Sequence, residues 1–144
     1  MACRLRTGKG AAMSYCKLNG TSFDVNIAIS AYKRKLNILH GESAGRVLSG
    51  TMILDPLGAY LGREITFFRK GNNYAALDAL WDFLVAHSMD KNGVLLEAAD
   101  GQSTISFRCY YGDTEQPIEK VENGINYWGE FSVNFIPMDP QVTP

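Results

Sequence analysis

The sequence predicts a mainly β domain, a β-sandwich or partly closed barrel with one α-helix on its flank. Three observations predict it. Apolar side chains alternate at period two, at Phe23, Val25, Ile27 and Ile29 and again at Phe131, Val133 and Phe135. Asn19-Gly20, Asp100-Gly101 and Asn123-Gly124 punctuate such segments as hairpin turns, because Asn, Asp and Gly tolerate positive φ. A helical period of apolar residues runs through residues 74–87.

The chain of 144 residues is long enough to bury one real core. Its 46% hydrophobic and 20% charged residues exclude intrinsic disorder as the overall state. The longest apolar candidate for a membrane span, residues 75–85, is interrupted by Asp78 and Asp82, so no membrane insertion is expected.

The elements follow in chain order. Residues 1–12 carry Arg4, Arg6 and Lys9, no acidic residue and little apolar pattern. They read as a flexible extension, added ahead of Met13 or serving as an arm that orders in an assembly. Residues 15–18 form a short strand into the Asn19-Gly20 turn, and residues 23–29 a half-buried strand. A short apolar stretch follows at residues 36–39. Residues 44–54 and 59–69 read as two long antiparallel strands joined by a turn at Asp55-Pro56-Leu57-Gly58, with bends at Gly45, Gly50 and Gly62. Asn72 or Asn73 caps the helix, whose stripe is Tyr74, Leu77, Leu80, Trp81 and Leu84. Strands at residues 94–98, 103–111, 118–121 and 125–137 complete one domain over residues 13–137. Residues 138–144, with Pro140 and Pro144, read as a mobile tail.

The residues that could carry chemistry do not converge. His40 lies in a predicted turn, and His87 lies near the helix C-terminus, where a basic group meets unpaired carbonyls. Asp78 and Asp82 are spaced i, i+4 but have no His or Lys partner nearby, and read as a solvated helix face. Cys3, Cys16 and Cys109 are an odd count with no CxxC spacing, so neither a disulfide framework nor a zinc site is expected. No serine sits in a nucleophile elbow, and the glycine-rich stretches lack phosphate-loop spacing. Lys33-Arg34-Lys35 is too short for a nucleic-acid footprint and reads as a strand edge or solvated turn. No enzyme, cofactor or metal is expected. The aromatics point elsewhere: Phe68, Tyr110 and Tyr111 put rings on both faces of their strands, which calls for helix cover or a subunit interface.

Several segments then resemble one family. They are Ser43-Ala44-Gly45-Arg46-Val47-Leu48-Ser49-Gly50-Thr51-Met52, Gly62-Arg63-Glu64-Ile65-Thr66-Phe67, residues 107–112 and residues 127–136, together with the opening Met13-Ser14-Tyr15-Cys16-Lys17-Leu18-Asn19-Gly20. They are similar to small tail proteins of phages and prophages of Gram-positive bacteria, akin to tail-tube and distal-tail (baseplate) proteins. The resemblance covers nearly all of residues 13–137. It implies a tail-tube-like β-sandwich or barrel, and a structural subunit that self-associates in a ring, commonly hexameric, beside neighbouring tail or baseplate proteins. DNA would pass such a ring without specific contact. The location implied is the host cytoplasm before assembly and the virion tail after it. The chain has no long extra domain of the kind many distal-tail proteins carry. Arg46, Met52, Leu57, Tyr60 and Arg63 are the residues expected near a subunit boundary. The competing reading is a monomeric β-rich binding module for a peptide or glycan, using exposed aromatics.

Overall fold

The computed structural model of the chain describes the backbone at residues 5–6 and 12–13 and the whole of residues 16–144. Asn19 and Gly20 both have positive φ, 52° and 81°. The turn they make joins β3 (Lys17–Leu18) to β4 (Thr21–Ser22). Of the expected extension, β1 (Leu5–Arg6) pairs with β2 (Ala12–Met13), which adds to β5 (Val25–Ala28). The rest of residues 1–12 lies outside the described residues.

A 3-10 turn at Ile29–Ala31 carries the chain from β5 into β6 (Lys33–His40). Both strands lie along the same side of β9 (Pro56–Arg69), the longest strand, with 14 residues. β5 takes its C-terminal end, with Val25 opposite Arg69, and β6 takes the rest, with Lys33 opposite Glu64 and Leu39 opposite Gly58.

This corrects the expected pairing of residues 44–54 with 59–69. Residues 44–54 hold only the small hairpin β7 (Gly45–Arg46) and β8 (Met52–Ile53), turned at Gly50 with φ 88°. The segment alternates too little to sustain a long strand, whereas Leu36, Ile38 and the residues between them do. Nor is Asp55-Pro56-Leu57-Gly58 a turn. Pro56 opens β9, a place where a missing N–H is tolerated.

The helix α1 (Tyr74–Ala86) starts as expected at Asn73, whose side-chain oxygen accepts the Ala76 N–H at 3.1 Å. β10 (Val94–Asp100) and β11 (Ser103–Tyr111) form a hairpin at Asp100-Gly101, and β12 (Ile118–Glu122) and β13 (Ile125–Trp128) another at Asn123-Gly124. The stretch 125–137 is two strands. It breaks at Gly129-Glu130, and β14 (Phe131–Pro137) inserts between β9 and β11. The main sheet runs β1-β2-β5-β9-β14-β11-β10-β3-β4, with β6 also on β9, and curls into an open, antiparallel half-barrel. The partly closed barrel with one flanking helix is thus the form the fold takes.

The core fills the curl. Ile65 and Phe67 of β9, Phe131, Val133 and Phe135 of β14, Cys109 of β11 and Leu96 of β10 are buried beneath Leu77, Leu80 and Leu84 of α1. Trp81 meets Phe131 edge-on at 5.4 Å, and the Tyr111 hydroxyl donates to the Leu84 carbonyl at 2.6 Å, so the helix is held by rings as well as leucines. Gly93, at φ 67°, is confined by the Cys109 carbonyl, with which any Cβ would collide. The expected tail is tied to β9: Val142 bridges Ala59, and the Gln141 side chain accepts the Leu61 N–H at 3.0 Å.

Arg63 ties the curl across its mouth. Its side chain is 1% exposed and donates to Asp100 Oδ1 at 2.7 Å, the Ala99 carbonyl at 3.1 Å and the Gly62 carbonyl at 2.8 Å. The Tyr32 hydroxyl reaches the same Ala99 carbonyl at 2.6 Å. Two side chains from the β6–β9 side thereby grip the tip of the β10–β11 hairpin.

Two stability outcomes are expected. Leu80→Ala should lower the unfolding free energy by about 2–5 kcal/mol, read as a shifted denaturant midpoint at constant m; a loss below about 0.5 kcal/mol would mean that the stripe is not packed as described. Arg63→Met should shift the midpoint far more than Arg34→Met. The exposed Arg34 makes only a 3.3 Å contact to Asp100, of the kind worth under about 1 kcal/mol.

Candidate functional site

Along β9, Leu57, Ala59, Leu61, Arg63, Ile65 and Phe67 share one face. The helix covers the end that carries Ile65 and Phe67. Toward the other end Arg63 and Ala59 are still buried, Leu61 is half-buried and Leu57 is exposed. The register places Leu36 opposite Leu61 and Ile38 opposite Ala59, so both β6 side chains extend this apolar face, and they are 62% and 56% exposed. Leu57 is exposed, and Val142 of the C-terminal segment, also exposed, bridges Ala59 backbone to backbone. The β7–β8 hairpin adds exposed Val47, Leu48, Ile53 and Leu54. Among the described residues, β6 pairs only with β9, so its outer edge is open.

Of the five residues expected at a boundary, Leu57 lies on this face, Arg46 and Met52 lie on the β7–β8 hairpin, and Tyr60 lies on the opposite face of β9. Arg46 of β7 is exposed and donates to the Gly50 carbonyl at 2.9 Å. Met52 stands opposite it in β8 and is exposed. Leu57 is exposed at the start of β9, and Tyr60 is half-buried opposite Asn37 of β6. Arg63 lies instead in the interior, as the tie already described. Leu36, Ile38, Leu48 and Leu54 were missed as surface residues. Only the pairing of β6 with β9 gives Leu36 and Ile38 a face.

The polar groups remain scattered. The His87 ring meets Asp90 through Nδ1 at 2.5 Å, at the helix C-terminus. His40 Nδ1 is buried without a hydrogen-bond partner, far along the chain from His87. Among the described residues no group of three or more His, Cys, Asp or Glu could hold a metal ion. No described helix is long and apolar enough to cross a membrane. Asp78 is exposed, and its carboxyl pKa is raised by partial burial and by the Asp82 charge. Cys16 and Cys109 are buried thiols, and Cys3 lies outside the described residues.

A second feature lies on the other face of the sheet. The β12–β13 hairpin stands beside the start of α1, with Tyr127 and Tyr74 rings 4.6 Å apart and the Arg69 guanidinium 5.0 Å from the Tyr74 ring. The Tyr74 hydroxyl donates to Glu119 at 2.6 Å, and this bond holds the Glu119 carboxyl below its ordinary pKa. Between this hairpin and the outward side chains of β5 and β9 lies a cleft of about 500 Å³, lined by Asn26, Phe68, Arg69, Glu119, Trp128 and Glu130. No protein-family model, curated protein or solved structure matches the chain.

Burial of the hydrogen-bonded, buried groups gives stability a defined alkaline limit. Burial pushes the Cys109 thiol from 9.0 up to about 12 and the Tyr111 phenol from 10.0 up to about 12. Between these values the native chain keeps protons that the unfolded chain releases. The unfolded state therefore binds fewer protons there, and stability falls as pH rises. Denaturant midpoints should decline from about pH 9 toward 12, and Cys109→Ala should flatten the early part of that decline. An unchanged profile in that variant would place the thiol in a wetter site.

Proposed function

We propose that the chain is a non-catalytic structural subunit that joins copies of itself through the β6–β9 face and the β7–β8 hairpin. The observation that carries this reading is the group of exposed apolar side chains Leu36, Ile38 and Leu57, on the same side of the sheet as the core. Contiguous apolar surface of this kind marks interaction sites, and an open strand edge adds backbone groups that seek partners. A closed cyclic assembly covers both without open-ended growth. The family resemblance makes the assembly a ring of a phage tail or baseplate, hexameric by analogy, contacting neighbouring tail proteins. Such a subunit is released into the host cytoplasm and ends in the virion tail. Any channel wall would be neutral or modestly acidic, so that passing DNA is not held.

A second reading, a monomeric binding module, is favoured by the cleft beside Trp128. The two readings part in a simple experiment. Residues 45–53 are replaced by two glycines, a change the fold accommodates because the Gly41 N–H already bonds the Asp55 carbonyl at 2.8 Å across the base of that hairpin. A second variant carries Leu36→Glu and Ile38→Glu. Sedimentation velocity over a wide concentration range should give a discrete large species for the parent chain and monomers for both variants, with circular dichroism unchanged. Electron microscopy should show rings only for the parent. A parent chain that stays monomeric at every concentration and within its native particle removes the ring and leaves the module.

A further inference from the structure

We propose that the cleft between the β12–β13 hairpin and the outer face of β5 and β9 binds a neutral saccharide, stacked on the Trp128 indole. This gives a ligand class to the binding-module reading and rests on the cleft described for it. It holds equally for a chain that also assembles.

The cleft has the volume of a small-ligand site, about 500 Å³. Its floor is Phe68 and Asn26, which stand opposite each other in β9 and β5, and Ala28, whose small side chain leaves depth. Trp128 forms one wall and is 37% exposed. The chain holds this exposed ring in place. The next residue, Gly129, donates its N–H to the Pro117 carbonyl at 2.8 Å and accepts from Gln116 Nε2 at 2.8 Å. A platform fixed in advance lowers the ordering cost of binding. Glu119 is likewise fixed before a ligand arrives, by the Tyr74 hydroxyl and by Arg69 Nε at 3.5 Å. Glu130 completes the rim. Beneath it the side-chain oxygen of Asn26 is buried and has no hydrogen-bond partner. An orphan acceptor costs stability, and a donor entering the cleft would relieve it after a rotation of the amide.

Other ligand classes fit this lining less well. Arg69 is the one basic residue in it and already faces Glu119, so a phosphate or other anion meets two carboxylates and no free cation. The floor strand β5 is paired on both sides, with β2 and β9, and so offers an extended peptide no open edge. An apolar ligand would strip water from three charged side chains. A sugar ring offers an apolar C–H face to the indole and hydroxyls that both donate and accept. The excess of carboxylates restricts it to uncharged sugars.

The test uses the full chain. Maltotriose, tri-N-acetylglucosamine and a hyaluronan tetrasaccharide are titrated by calorimetry, with saturation-transfer NMR to locate the sugar protons that touch protein. At least one neutral trisaccharide should bind saturably, its ring C–H protons should receive the transfer, and the acidic sugar should not bind. Trp128→Ala should weaken binding by about tenfold or more, and Glu130→Gln, a surface change that leaves the fold alone, by several-fold. No saturation by either neutral sugar up to about 10 mM, equal binding by both variants, or preference for the acidic sugar overturns the proposal. Pentalysine titrated in parallel separates the two levels: a monomer that binds it and no sugar keeps the module reading and loses the saccharide.

Discussion

One strand face is asked to do two different jobs. The odd-numbered side chains of β9 run from Leu57 to Phe67 on one side of a curled sheet, and one 13-residue helix is available to cover them. Burial of apolar surface drives the fold, so the helix sits where the rings are largest, over Phe67, Phe131 and Phe135. The remainder of the face is left to Leu57, Leu61, Leu36 and Ile38. The core and the exposed apolar region are therefore the same surface, divided by where the helix ends.

Arg63 marks the division. It is a charged residue in the middle of an apolar row, and burying it is tolerated because each arm of the guanidinium is met, by Asp100, by the Ala99 carbonyl and by the Gly62 carbonyl. Asp100 and Ala99 belong to β10, which lies three places from β9 in the sheet order. A tie of that span can form only if the sheet curls. The Tyr32 hydroxyl on the same carbonyl adds a second link between these parts of the sheet.

The two surfaces that result differ in chemistry. The inner face and the hairpin beyond it expose aliphatic side chains, Leu36, Ile38, Leu57, Leu48 and Leu54 among them. The outer cleft is walled by one indole, and two of its three charged side chains, Arg69 and Glu119, pair with each other. Neither surface places a nucleophile beside a base, and the two histidines stay apart.

The strand alternation at residues 23–29, 103–111 and 131–135, the three hairpin turns and the capped helix were legible because each depends on neighbours within a few residues. Asn19 and Asn123 both adopt φ 52°, as their Asn-Gly pairs require. The partner of β9 was not legible: residues 44–54 and 33–40 both lie close enough in sequence to pair with it, and only the competition for the same hydrogen-bonding edge selects β6. The split at Gly129-Glu130 was hidden for the same reason, since β14 leaves β13 to fill a place between β9 and β11. For the site, the structure leaves Arg46, Met52 and Leu57 exposed and Tyr60 half-buried, while Leu36 and Ile38 needed the register and the cleft needed three separate elements to meet. The sequence by itself determined the helix and its cap, the Asn19-Gly20, Asp100-Gly101 and Asn123-Gly124 turns and the alternating strands, but neither the strand at residues 33–40 nor the extended start of β9 at residues 56–58. The tertiary structure alone decided which strands pair, that Arg63 is an inner tie, and which apolar residues are left uncovered, because those follow from non-local contacts for which the chain carries no local signal.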